Sequence, residues 1–283
     1  MHRLLRFTSI HATVLVAFVF QPPSTEAQLM QRLLPGGKLA PVIRADPREP
    51  AVGAKLLGVV KAVSQFGTGI EGEAAIGHSI PFLLLSGESP DHATVLGLQG
   101  GVFGRFFMET AARELISTDW VLAIPLIIWR GENWYRFRYR HFSSHLGDEY
   151  IEEFNAERSD FSRDALEVTA YRKLTAGFSA YAGGDIAFNV QPTGSKRLRL
   201  LGGIEFADVA NAGPEQFFGG VNVTLDQDAS WRPQVNVQTG VILFPENERR
   251  LRFLLEVVFG PSIQGEFHRE DETVVMLGFL LEL

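Results

Sequence analysis

An imidazole and a hydroxyl stand two residues apart in the stretch Tyr139-Arg140-His141-Phe142-Ser143-Ser144-His145. A histidine within hydrogen-bond reach of a serine acts as its general base and makes the hydroxyl a nucleophile, provided a third group fixes the ring. In an extended chain, residues i and i+2 share a face, so His141 and Ser143 point the same way. Asp164 has the face parity of Leu166, Val168 and Ala170 on the following extended segment and is the residue placed to orient the imidazole; Asp160 is the fallback. The chemistry of such a set is acyl transfer, with Ser143 as nucleophile, His141 as base and Asp164 as orienter.

A second chemically competent group is basic. Arg136, Arg138 and Arg140 alternate with Tyr135, Phe137 and Tyr139, and Arg105, Arg197, Arg199, Arg250 and Arg252 hold comparable positions elsewhere. On the same faces stand Glu167, Asp185, Glu205 and Glu256. Turned into an enclosed space, these charges either lock to one another or line a narrow passage that favours anions. A third group is acidic: Asp148, Glu149, Glu152, Glu153, Glu157, Asp160 and Asp164. Its carboxylate oxygens suit Ca²⁺ or Mg²⁺, with Asp148 and Glu149 the metal candidates, but the spacing matches no defined metal loop and a solvated loop is the plainer reading. No other cofactor is implied. A net charge of −7 with no basic stripe gives no support to nucleic-acid binding, and the absence of cysteine excludes a disulfide framework.

The elements that must position these groups are strands. From Ala51 onward, apolar and polar residues alternate in runs of about ten separated by Gly, Pro, Asn and Asp clusters. The pattern predicts strands near 52–61, 70–85, 94–107, 118–129, 133–144, 164–174, 177–189, 197–207, 217–227, 232–244, 250–260 and 273–283. Each has one charged and one greasy side. Phe178 and Phe188 share the greasy side at a spacing that spans roughly 25 Å along a tilted strand, the height of an outer-membrane apolar band. Trp129 and Trp134 bracket the turn Arg130-Gly131-Glu132-Asn133, again at strand ends.

The fold class these patterns predict is all-β: a transmembrane antiparallel β-barrel of about twelve strands, of the outer-membrane type, over 52–283. Residues 1–27, with Arg3 and Arg6 before an apolar run too short to span a bilayer, read as a cleaved signal peptide. Residues 28–51, rich in Pro and Gly, read as a periplasmic lead-in. The closing run, with Gly278, Leu281 and Leu283, has the spacing by which a terminal strand engages the barrel-assembly machinery. The environment expected is outer-membrane lipid.

The His-x-Ser of a barrel strand turned toward lipid resembles the outer-membrane phospholipase A and lipid A 3-O-deacylase families, and the resemblance implies attack by Ser143 on an acyl ester. Over its mature length the chain also resembles the bacterial family called domain of unknown function 1207, through Ala45-Asp46-Pro47-Arg48-Glu49-Pro50 and His-x-Ser-Ser-His-x-Gly-Asp-Glu at 141–149. That family implies the location and no activity. Three readings stand side by side: a structural or small-solute channel lined by Arg136, Arg138, Arg140, Arg199, Arg252, Glu167 and Glu256; a lipid-face hydrolase; and surface binding through the acidic loop.

Overall fold

Period-two alternation becomes a closed wall. The computed structural model describes residues 32–35, 39–86, 90–207, 215–245 and 249–282. The leader expected over 1–27, and Leu283, lie outside these. Twelve strands follow in order: β1 (Val52–Lys61), β2 (Gly69–Ser86), β3 (Thr94–Phe107), β4 (Leu115–Arg130), β5 (Asn133–Leu146), β6 (Ser162–Lys173), β7 (Phe178–Gln191), β8 (Leu198–Ala207), β9 (Glu215–Asp226), β10 (Pro233–Leu243), β11 (Arg250–Pro261) and β12 (Asp271–Glu282). One helix, α1 (Asp148–Phe154), lies between β5 and β6.

Each strand pairs antiparallel with its neighbours in sequence, and β1 pairs with β12 from Val52↔Leu281 to Val59↔Val274, which closes the barrel. Closure leaves no edge with unpaired backbone groups, the condition for a sheet surrounded by hydrocarbon. Long side chains turned outward are apolar: Ile76, Leu122, Phe137, Leu166, Ile186, Phe188, Leu200, Phe253 and Leu277 all face away from the interior. The fold therefore implies a lipid environment for this wall. The turns 131–132 and 174–177 lie at the end where β1 starts, and the long connection 147–161 lies at the other; these are the terminal end and the loop end below.

The interior is filled from two directions. From the terminal end, residues 39–50 run up inside the wall. Leu39 packs with Ala93 and Val95, Ile43 with Ile127, Trp134 and Tyr181, and Arg48 reaches Glu73 and Asp119. Glycines on the inward face make the room: a Cβ added at Gly220 would lie 3.1 Å from the Ala45 Cβ, and one at Gly101 3.4 Å from the Pro50 Cβ. At the loop end, residues 262–270 fold into the mouth. Gln264 is buried there and its side chain accepts from the Ser117 hydroxyl at 2.7 Å.

Three sequence expectations need correction. Trp129 and Trp134 face inward: Trp134 is 2% exposed and stacks on Tyr171, while the Trp129 indole donates to the Leu39 carbonyl, so both grip the lead-in instead of forming a girdle. Arg197 precedes β8 and is exposed at its rim, outside the lumen. The acidic run beyond Gly147 is partly helical, since Asp148 and Glu149 occupy the first turn of α1, where carboxylates favour the helix dipole.

Candidate functional site

On β5 the even residues Arg136, Arg138, Phe142 and Ser144 are buried inward, so His141 and Ser143 lie on the outward face. The register sets His141 opposite Asp164 on β6 and Ser143 opposite Ser162. His141 Nδ1 lies 2.8 Å from Asp164 Oδ1. A carboxylate only accepts, so the proton between them sits on Nδ1; in the neutral ring that leaves the lone pair on Nε2, the tautomer a general base requires. The same Asp164 oxygen accepts from the Tyr139 hydroxyl at 2.8 Å, and its second oxygen accepts from Asn189 Nδ2 at 2.8 Å.

Asn189 arrives by a bulge. Along β7, Asp185 and Ala187 face inward, and strict alternation would send Asn189 inward as well. The β6–β7 register slips here: Asp164 pairs with Asn189 but Ala165 pairs with Ala187, leaving Phe188 as an extra residue. Phe188 and Asn189 then both turn outward, and Phe188 stacks on Tyr139 with ring centroids 6.1 Å apart. Bulges re-aim side chains in this way. A carboxylate on the outer wall of a barrel is costly unless its lone pairs are satisfied, and here three donors satisfy them.

The structure thus brings His141 and Asp164 together and adds Tyr139 and Asn189, which sequence reasoning missed. Among the described residues, Ser143 Oγ makes no hydrogen bond; it stands on the same face, one pleat period from the imidazole. Asp160 makes no contact with His141 and is exposed. Asp148 pairs with Arg158 at 2.6 Å, Glu149 is exposed beside it, and no group of three ligating side chains occurs among the described residues.

The inward set forms an ion-pair lattice. Arg136 bridges Glu49 at 2.7 Å and Glu167 at 3.3 Å; Arg138 bridges the same two at 3.2 and 2.8 Å. Arg199 and Arg163 share Asp185 at 2.6 and 2.5 Å. Lys55 joins Glu73 to Glu256 at 3.2 and 2.8 Å, and Arg252 donates to Gln238 at 3.2 Å. Glu49 belongs to the lead-in, so the wall and the segment inside it neutralise one another. Among the described residues Arg140 has no such partner.

The family model "Protein of unknown function (DUF1207)" matches residues 15–282. The chain belongs to the DUF1207 family. That description states no activity, and no curated protein matches the sequence. Among solved structures, this DUF1207 barrel aligns with outer membrane phospholipase A from Escherichia coli at a TM-score of 0.53 and 10% identity, covering 89% of this chain and 96% of that one. The Salmonella typhi outer membrane phospholipase dimer with bound calcium aligns at 0.53 and 10%, covering 86% and 95%. An outer membrane channel from Pseudomonas putida F1 aligns at 0.45 and 10%, covering 85% and 100%. The phospholipase alignments show a shared barrel fold, that of bacterial outer-membrane proteins.

Proposed function

We propose that this barrel hydrolyses acyl esters of membrane lipid at its outer wall, on the strength of one observation: the His141–Asp164 pair, built and braced on the face turned to lipid. Ser143 Oγ attacks the ester carbonyl while His141 Nε2 takes its proton. The oxyanion collapses, the C–O bond to the alcohol breaks, and His141 returns the proton to the leaving oxygen. Water repeats the sequence to release the fatty acid. Asp164 holds the imidazole in its tautomer and stabilises the imidazolium in both steps. The open Ser143–His141 geometry accords with sites whose catalytic hydrogen bonds tighten only around substrate.

The test is fatty-acid release from phospholipid and from lipid A by the purified protein in detergent, with and without Ca²⁺, beside Ser143→Ala. Release by the wild type alone supports the reading. Equal inactivity of two folded samples sinks it. The protein reaches the outer membrane on this reading through its leader, and inserts with the barrel-assembly machinery through β12.

One observation favours a second reading, a gated channel. A cavity of about 590 Å³, bordered by Ile43, Arg44, Glu73, Ser79 and Gln238, lies beside the lead-in toward the terminal end. Conduction would require residues 39–50 to leave the lumen.

A further inference from the structure

We infer that the pocket around Arg140, between the tip of the lead-in and the inward-folded loop 262–270, binds a small oxyanion. The cavity has a volume of about 100 Å³ and is lined at its base by Asp46, Pro47 and Arg48 and at its roof by Ile263, Gly265 and His268. Bulk water occupies roughly 30 Å³ per molecule, so the space suits a phosphate or the carboxylate end of a larger acid.

The cations bordering this cavity divide sharply. Arg48 has Glu73 and Asp119, Arg163 and Arg199 have Asp185, Arg232 has Asp271, and His268 has Asp228. Arg140 is only 5% exposed and, among the described residues, has neither a carboxylate within ion-pair distance nor a hydrogen bond. Its Nε is sealed from solvent without a partner, and its guanidinium lies 5.3 Å from the centre of the Phe142 ring. Its charged neighbours are Arg199 and Arg138, which repel it, and Asp46 and Glu167, which attract it; these two carboxylates and Asp226 also line the cavity, none of them within ion-pair distance of its guanidinium. A cation–π contact offsets only a small part of the cost of burying a guanidinium. An oxyanion in the cavity supplies the missing acceptor in the bidentate geometry arginine prefers.

This site is independent of ester hydrolysis. Arg140 faces the lumen and His141 faces out, so either proposal survives the failure of the other.

The experiment titrates inorganic phosphate, and separately acetate, into the detergent-purified full chain at constant ionic strength. It reads heat of binding and the temperature at which the folded electrophoretic form is lost. The expected result is saturable binding that raises this temperature in the wild type, weakened at least about tenfold in Arg140→Gln and less in Arg140→Lys. Arg172→Gln, exposed far from the cavity, should bind as the wild type does. Because Arg140→Gln removes a buried charge that lacks a counterion, its stability without phosphate should equal or exceed that of the wild type. A phosphate preference over acetate assigns a phosphoryl ligand, and the reverse a carboxylate. Two results overturn the proposal: no binding of either ion to the wild type, or binding to Arg140→Gln equal to that of the wild type.

Discussion

Arg48 and Asp119 join the lead-in to the barrel wall through two guanidinium nitrogens, Nε at 2.8 Å and Nη2 at 2.7 Å from the same carboxylate oxygen. The other Asp119 oxygen accepts from the Ser144 hydroxyl at 2.5 Å and from the Gly265 amide at 3.1 Å. One buried carboxylate therefore ties together the segment that fills the barrel from below and the loop that closes it from above. The two closures are mechanically connected, and loosening one weakens the other.

Arg48→Met tests that connection. It removes the partner of Asp119 and one of the two cations at Glu73, leaving buried negative charge uncompensated. Loss of about 3–5 kcal/mol of stability is expected, the range for breaking a buried pair from one side. Urea unfolding in detergent micelles checks the magnitude. A change below about 1 kcal/mol would show that solvent already reaches the pair.

For the lipid-face set, Asn189→Leu deletes one of three donors to Asp164 and keeps the outward apolar surface. On the hydrolase reading, ester release falls roughly 10–100-fold with KM little changed, as for other groups that orient a catalytic ligand or base. A KM effect with unchanged kcat would instead place Asn189 in substrate binding.

At the loop end, Asp228 accepts from the Lys196 amide at 2.9 Å, from His268 Nε2 at 2.8 Å and from Arg269 at 2.9 Å. Burial pushes its carboxyl up, but the Lys196 amide, His268 and Arg269 together hold it below the ordinary 3.8. A depressed folded value means that Asp228 contributes stability above the unfolded value and loses it as pH falls through the folded one. Loops 192–197, 227–232 and 262–270 should resist an acid-active protease at pH 5 and be cut progressively as pH drops below about 4. In Asp228→Asn the cutting should be flat over that window.

Room for the lead-in comes from small residues. At Gly101 a Cβ would lie 3.4 Å from the Pro50 Cβ, ordinary contact, so Gly101→Ala should change stability by less than about 1 kcal/mol. The branched methyls of Gly101→Val would meet the Pro50 ring, and a loss of about 1–3 kcal/mol is expected by the same unfolding measurement.

The strands were legible because each shows period two on its own. The segments expected at 70–85 and 250–260 are Gly69–Ser86 and Arg250–Pro261, and the inward arginines of β5 follow from parity alone. The lead-in was not legible as a lumen filler: it has no periodicity, and its contacts are remote in sequence, such as the Arg44 amide donating to Glu205 across 161 residues. The inward glycines and the charged string Arg44 to Glu49 were the available signal. For the candidate site, His141, Ser143 and Asp164 could be placed on one face by parity. Asn189 could not, because the bulge at Phe188 breaks the parity on which the reading depends.

The last prediction concerns conductance. Deleting residues 39–49 removes Glu49 from Arg136 and Arg138, and Arg48 from Glu73 and Asp119. The wall retains its own pairs, since Glu167 still bridges both arginines and Lys55 still joins Glu73 to Glu256. A closed sheet with these pairs intact should stay folded while its lumen fills with water. A twelve-stranded wall encloses a backbone diameter on the order of 24 Å by strand spacing and tilt, enough for ions to pass between paired side chains. In planar bilayers the wild type should be nearly silent and the deletion should conduct steadily. If both conduct alike, the lead-in does not seal the lumen in the membrane; if both are silent while the deletion remains folded, loop 262–270 closes the barrel by itself.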